Sequence, residues 1–469
     1  MEEPPVQLLW VVGAARLVTA PDEYGVSCPP VDPAEMAGQG GQAPPWASGH
    51  RGRGVGTTNQ LGKGSGLGFQ HIEVGERLHL AEDTETPATG SERDPRDGRS
   101  RRQRSRGLVS IAATDGWAEV GLVDRTARRV VVTAPGRVEV ADVAVPDLGS
   151  GDVLVAMLAA GICGSDTHAA KGRHPFIGFP YAPGHEVVGR VAAVGDAVSL
   201  HVGQRVVVEP LGACGHCQYC RDGRYNLCLN LVFFGCGSPV GGMAEYFVLP
   251  AAQLHPVPAE LTVEQAVLVE PLACPVHAVR LAGDLRGRSV VVIGAGTIGL
   301  LTSAVARDAG AARVAVLDRS AARRDRARRL GADVTHDSGS PEAAAAVRRE
   351  FGRSADVVFD CLATQSSLDH AVTMALNGGT VVVVGVPEGP MTLPLPQIQD
   401  AQVRVQGSAT YVAADFEQSL SLLSRGVVRA DDVVTGRYPL ERAAAAFEDA
   451  GSGRHVKVVL LPRDDEGDR

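Results

Sequence analysis

Residues 289–300, SVVVIGAGTIGL, constrain this 469-residue chain more than any other stretch. The apolar run into Ile293 has no alternation, as a strand covered on both faces requires. Gly294, Gly296 and Gly299 follow in G-x-G-x-x-G spacing, and TIGLLTSAVARDAG then takes a helical period with a glycine stop. The first glycine permits a tight turn, the second lets backbone approach a pyrophosphate, and the third lets helix and strand pack closely. The helix N-terminus offers free N–H groups and a positive dipole end to phosphate. A bare glycine motif is weak. Here it follows a strand, opens a helix and is trailed by Asp318 at the end of the next strand, RVAVLD. Gly294, Gly296, Thr297, Ile298 and Gly299 are therefore expected to hold a dinucleotide, with Asp318 accepting from the adenosine ribose hydroxyls. That carboxylate would repel a 2′-phosphate, so NAD is expected rather than NADP. Arg319 pulls the other way, since a guanidinium there would favour a 2′-phosphate, and it joins the candidate cofactor-binding residues.

The strands DVVFDC and TVVVVGV continue an alternation with helices such as SAARRDRARRLGA, which predicts a doubly wound parallel sheet. Upstream the period is different. RRVVVTAPGRVEVADVAVP alternates about a Pro-Gly turn and reads as a hairpin, and short Val-rich strands continue in GDVLVAMLAAGICGSD and GHEVVGRVAAVGDAV. A small β-rich domain is expected to about residue 270. After residue 412, DFEQSLSLLSRG and ERAAAAFEDAGSG look helical and HVKVVLLP forms a closing strand; the tail RDDEGDR is expected to fray.

The first 127 residues are unlike the rest. Glycine-rich and charged stretches such as ETPATGSERDPRDGRSRRQRSRG carry too little apolar surface to offset the entropy of ordering, so a disordered low-complexity extension is expected. The basic run Arg99–Arg106 suits RNA or a membrane surface, or simply a solvated tail. A second reading puts the native start near residues 108–128, with a misassigned reading frame before it; intact mass of the natural protein separates the two. A formal net charge of −9 disfavours nucleic acid as a partner. No apolar run of about 18 residues predicts a membrane span, and the acidic N-terminus lacks signal-peptide character. The expectation is a cytoplasmic protein with reduced thiols.

Four of the nine cysteines fall within ACGHCQYCRDGRYNLC: Cys214, Cys217, Cys220 and Cys228, spaced C-x2-C-x2-C-x7-C. A chain this long has no need of a disulfide framework. Four thiolates suit tetrahedral structural zinc. An iron–sulfur cluster also takes four cysteines, but the proline that follows the last one in such runs is replaced by Leu229. A second set is dispersed: Cys163, Ser165, Asp166 and His168 in GICGSDTH, His185 and Glu186 in PGHEVVG, and Glu270, Cys274 and His277 in VEPLACPVH. A catalytic zinc wants about three protein ligands and an open position, which a thiolate, an imidazole and one or two carboxylates would supply.

With these motifs in this order, the chain from about 128 to 463 resembles the zinc-containing medium-chain dehydrogenases of the alcohol and polyol dehydrogenase superfamily. The glutamate of VEPLA, where classical alcohol dehydrogenases place a cysteine, resembles the sorbitol and threonine dehydrogenase branch. The resemblance implies a GroES-like catalytic domain at 128–270 with a structural zinc lobe, a Rossmann NAD-binding domain at 271–411 and a return to the catalytic domain at 412–465. It implies two zinc ions. Cys163, His185, Glu186 and Glu270 would serve the catalytic one, with Glu186 a transient ligand beside the metal, and Cys274 a competitor for Glu270's place if the segment is helical. Cys214, Cys217, Cys220 and Cys228 would hold the structural one. Asp166 would orient His185, while Ser165 and His168 would begin and end a proton relay. The implied activity is hydride transfer to NAD from the secondary alcohol of a polyol, sugar, cyclitol or hydroxy amino acid. The implied partners are a small-molecule alcohol and further copies of the chain, as a dimer or tetramer, with no nucleic acid and no membrane. VGVPEG, residues 384–389, would lie near the nicotinamide; Phe233 and Phe234 fit either pocket wall or core. An NADP-dependent reductase of the cinnamyl-alcohol type, a zinc-free quinone reductase and a non-catalytic binding scaffold are the competing readings.

Overall fold

The computed structural model describes residues 126–462, so the expectations for residues 1–125, the basic run and the last seven residues fall outside what is described. The chain opens on a hairpin of β1 (Thr126–Ala134) and β2 (Arg137–Ala144), whose turn uses Gly136 at a φ of +76° that side chains resist. β3 (Asp152–Ile162) leads into α1 (Gly164–Ala170). β4 (Glu186–Val194) and β5 (Arg205–Val208) follow. The cysteine-rich lobe then contains β6 (Leu211–Gly212), α2 (Gln218–Arg221) and β7 (Val232–Phe233). β8 (Tyr246–Pro250) and β9 (Leu254–Pro256) return to the sheet. α3 (Val263–Ala266) and α4 (Val269–Ala282) lead out of it, so residues 270 and 271 are neighbours within one helix.

The second half alternates as its periods require. β10 (Ser289–Ile293), α5 (Thr297–Asp308), β11 (Arg313–Leu317), α6 (Ala321–Arg329), β12 (Val334–His336) and α7 (Ala343–Phe351) run in succession. β13 (Ala355–Asp360), α8 (Gln365–Met374), β14 (Ala375–Val383), α9 (Leu395–Asp400) and β15 (Arg404–Gly407) complete a six-stranded parallel sheet ordered β12-β11-β10-β13-β14-β15. All five residues of β10 are buried because both faces are covered: Val290 and Val292 pack with α4 and α5, Val291 and Ile293 with α7 and α8.

The chain then turns back. α10 (Ala413–Ser424) lies on α4. After α11 (Ala430–Val433), β16 (Val434–Pro439), α12 (Ala443–Gly451) and β17 (Lys457–Leu461) join the first half. β17 pairs antiparallel with β3, completing a seven-stranded sheet in which the path runs β16-β17-β3-β4-β5-β9 and β8 pairs with β3. The closing strand is thus where the sequence puts it, whereas β16 carries too little apolar alternation to announce itself.

Candidate active site

The β3–β4 register assembles the site. Gly161 pairs with Glu186, so the end of one strand meets the start of the next and residues more than twenty apart become neighbours. A Cβ at Gly161 would stand 2.1 Å from Glu186 Oε2; only glycine leaves the carboxylate room. Cys163 caps α1, its N–H donating to the Asp166 carboxylate at 2.9 Å. The Cys163 sulfur, a His185 ring nitrogen and a Glu186 oxygen all lie within 4.8 Å of one another.

Asp166 is 1% exposed, and its Oδ1 faces His185 Nδ1 at 3.7 Å; neither atom has a hydrogen-bond partner. Burial raises the Asp166 carboxyl to about 6. Burial alone would lower His185, but Asp166, Cys163 and Glu270 outweigh it and push the imidazole well above its ordinary value. A thiol, an imidazole and a carboxylate match the donor set of a catalytic zinc, and the Asp166–His185 contact matches the carboxylate that orients a ligating histidine.

Two contacts went unseen in the sequence. Lys457 of β17, 3% exposed, donates to both Glu186 oxygens at 2.6 Å and to the Ile162 carbonyl at 3.1 Å. Its only signal was a lone lysine in an otherwise apolar strand. Tyr411, fully buried just before α10, donates to Glu270 Oε1. Glu270 sits in the first turn of α4, where burial raises its carboxyl to about 7 despite His185 nearby. Its oxygens are not among the tight group. Cys274 does lie one helical turn beyond Glu270, its thiol pushed well above the usual range by desolvation, and it too stands outside that group.

Ser165 is half-buried on α1 and His168 is exposed on the same helix. His168 Nδ1 lies 3.4 Å from a carboxylate oxygen of Glu388, in the loop that follows β14. Through Glu388 the loop after β14 therefore reaches α1, the helix that Cys163 caps. Phe233 stands edge-on 5.5 Å from the His185 ring, at the site, whereas Phe234 packs into the core 5.4 Å from Phe247.

In the lobe, Cys217 and Cys220 sulfurs are 3.5 Å apart and those of Cys214 and Cys220 3.9 Å, and Cys228 Sγ accepts from the amides of Cys214 and Asn230. Four sulfurs about 2.3 Å from a tetrahedral zinc stand about 3.8 Å apart. The amides of His216 and Cys217 pull the Cys214 thiol down to about 6, while desolvation and the Cys217 thiol push Cys220 up to about 12.

At the nucleotide site Gly294 has φ +96°, and a Cβ at Gly299 would fall 1.7 Å from the Gly294 carbonyl. Gly296 caps α5, followed by Thr297 and Ile298; the Thr297 hydroxyl donates to the Val456 carbonyl at 2.8 Å. Asp318 is positioned by two amides, Ala295 on Oδ2 and Ser320 on Oδ1, each at 2.8 Å. Arg319 is exposed, and Arg323, which the motif did not flag, approaches Asp318 to 3.9 Å.

The model for the alcohol dehydrogenase GroES-like domain matches residues 149–259, and that for zinc-binding dehydrogenases matches residues 297–425. D-xylulose reductase A of Aspergillus niger is 35% identical over 336 residues, covering 69% of this chain and 93% of that protein. Mouse sorbitol dehydrogenase is 34% identical over 340 residues, 71% of this chain and 94% of its own. A protein described as a zinc-binding dehydrogenase from Sinorhizobium meliloti 1021, solved bound to NADP, superposes with a TM-score of 0.68 at 32% identity, over 72% of this chain and all of that one. The chain belongs to the zinc-dependent medium-chain dehydrogenases, in their sorbitol dehydrogenase-like branch. The β-rich half is thus a GroES-like domain and the parallel sheet a Rossmann domain.

Proposed function

We propose that this chain is an NAD-dependent dehydrogenase of a secondary alcohol in a polyol or sugar, with cyclitols and hydroxy amino acids as the neighbouring substrate classes. The grouping of Cys163, His185 and Glu186 within 4.8 Å carries the reading, and relatives named sorbitol dehydrogenase and D-xylulose reductase support the substrate class. Cys163, His185 and Glu186 would hold the catalytic zinc, with Glu270 beside them, and Cys214, Cys217, Cys220 and Cys228 the structural one. Bound zinc supplies Lewis acidity that lowers the pKa of the substrate hydroxyl. Bound NAD supplies the hydride acceptor.

The protein's own groups do the rest. Asp166 keeps His185 in one orientation. Lys457 holds Glu186 by both oxygens and so fixes the carboxylate beside Cys163 and His185. Ser165 takes the hydroxyl proton, and His168, three residues on and exposed to water, releases it. Gly294, Gly296, Thr297, Ile298 and Gly299 seat the pyrophosphate. Asp318, already fixed by two amides, presents its carboxylate to the adenosine ribose, which favours NAD. Arg319 and Arg323 beside it, and the NADP-bound relative, favour the second reading, an NADP-dependent alcohol or aldehyde reductase. Reduction of NAD or NADP by sorbitol, xylitol, inositols, threonine and butanediol, alongside oxidation of NADPH by an aldehyde, tests both: NADH formed from a polyol supports the first, and NADPH consumed by an aldehyde replaces it. The active species is proposed as a homo-oligomer, which light scattering tests.

A further inference from the structure

Between β15 and α10 the chain passes through Ala409, Thr410 and Tyr411. Thr410 has φ +52°, a left-handed conformation that a β-branched residue adopts only when its surroundings hold it there. The cysteine lobe supplies that hold from both sides. Asn226, buried, donates from Nδ2 to the Ala409 carbonyl at 3.0 Å, just before the strained residue. The Tyr225 hydroxyl accepts from the Ala413 amide, just after it. Ala413 is the first residue of α10, so its N–H has no partner within the helix. The same hydroxyl donates to Glu209 Oε1 at 2.5 Å, and Glu209 Oε2 meets His255 Nε2 at 2.6 Å, which fixes the tyrosine to the GroES-like sheet. Between the two grips stands Tyr411, whose hydroxyl is on Glu270.

We infer that Tyr225 and Asn226 are positioning residues that clamp residues 409–413, so that the lobe sets where Tyr411 holds the Glu270 carboxylate. The lobe then acts on turnover through this clamp as well as through any interface it forms. Tyr225→Phe removes both hydrogen bonds of the hydroxyl, and Asn226→Ala removes the grip on Ala409.

Hydrogen exchange read by mass spectrometry over residues 408–414 is expected to quicken at least tenfold in either variant, with zinc content per chain unchanged; exchange at the wild-type rate in both variants overturns the clamp. The kinetic consequence rests on Glu270 acting at the catalytic metal as proposed above, while the exchange reads the clamp whether or not the chain turns over. Each variant is expected to lower kcat about tenfold with KM for NAD unaltered. On a Tyr411→Phe background the same substitutions are expected to add less than a twofold loss, because the group they position is gone. Losses that multiply on that background show that Tyr225 and Asn226 do not act through Tyr411, and overturn the coupling. Should Tyr225→Phe release the lobe's metal, Asn226→Ala read by the same exchange and cycle decides between these outcomes.

Discussion

At the scale of single residues, the site is a set of charges that tolerate burial only together. Cys163→Ser is expected to abolish turnover while leaving NAD binding intact and removing about one zinc per chain, read by mass spectrometry and isothermal titration; full activity would remove Cys163 from the chemistry. Asp318→Ala is expected to relax the preference for NAD over NADP by at least about tenfold, since it deletes the carboxylate that repels a 2′-phosphate. Lys457→Met leaves Glu186 buried and unpaired, and is expected to cost about 3–5 kcal/mol in urea unfolding of the metal-free protein. Cys163, His185 and Glu186 could be read from sequence because thiol, imidazole and carboxylate each sit in a recognisable motif. Lys457 and Tyr411 could not, because what makes them matter is a pairing across 271 residues for Glu186 with Lys457 and 141 for Glu270 with Tyr411.

At the scale of elements, two junctions carry the consequences. A methyl at Gly299 must push α5 off the Gly294 turn. Gly299→Ala is therefore expected to weaken dinucleotide binding more than about tenfold and lower stability by about 1–3 kcal/mol, measured by titration and thermal melts. The second junction is α4 against α10, pinned by Asp415. Burial would raise this carboxyl, but hydrogen bonds from His277 at 2.8 Å and Arg280 at 2.9 Å, with the Val412 amide, hold it down at about 2. A depressed carboxylate contributes above its unfolded pKa of about 4 and loses that contribution as pH falls through the folded value. Asp415→Asn is expected to cost about 2–3 kcal/mol at neutral pH, and the gap from wild type should close between about pH 4 and pH 2; a gap independent of pH would contradict it. The doubly wound half could be read because the β10–α5 step carries an unbroken valine run and a glycine turn, and because the later apolar runs alternate with helical stretches. β12, β15 and β16 are only three to six residues long, and their burial comes from neighbours rather than from their own pattern.

At the scale of the whole molecule, the two halves are tied together because the chain leaves the GroES-like domain through α4 and returns to it through β17. The Glu388–His168 contact crosses between them. Both side chains are about half exposed, so the pair is worth about 0.2–1 kcal/mol at most. Glu388→Gln is expected to lower kcat/KM less than about fivefold, with the difference shrinking at high salt; a loss of a hundredfold would give Glu388 a direct part in the chemistry. Among the described residues no helix is long and apolar enough to cross a membrane. The most direct measurement is absorbance at 340 nm with zinc-replete protein, a polyol panel, and NAD or NADP, before and after chelation. Formation of NADH from a polyol, faster with NAD than with NADP and lost with the metal, is the predicted result. Turnover that survives chelation, or that proceeds only with NADP, would contradict it.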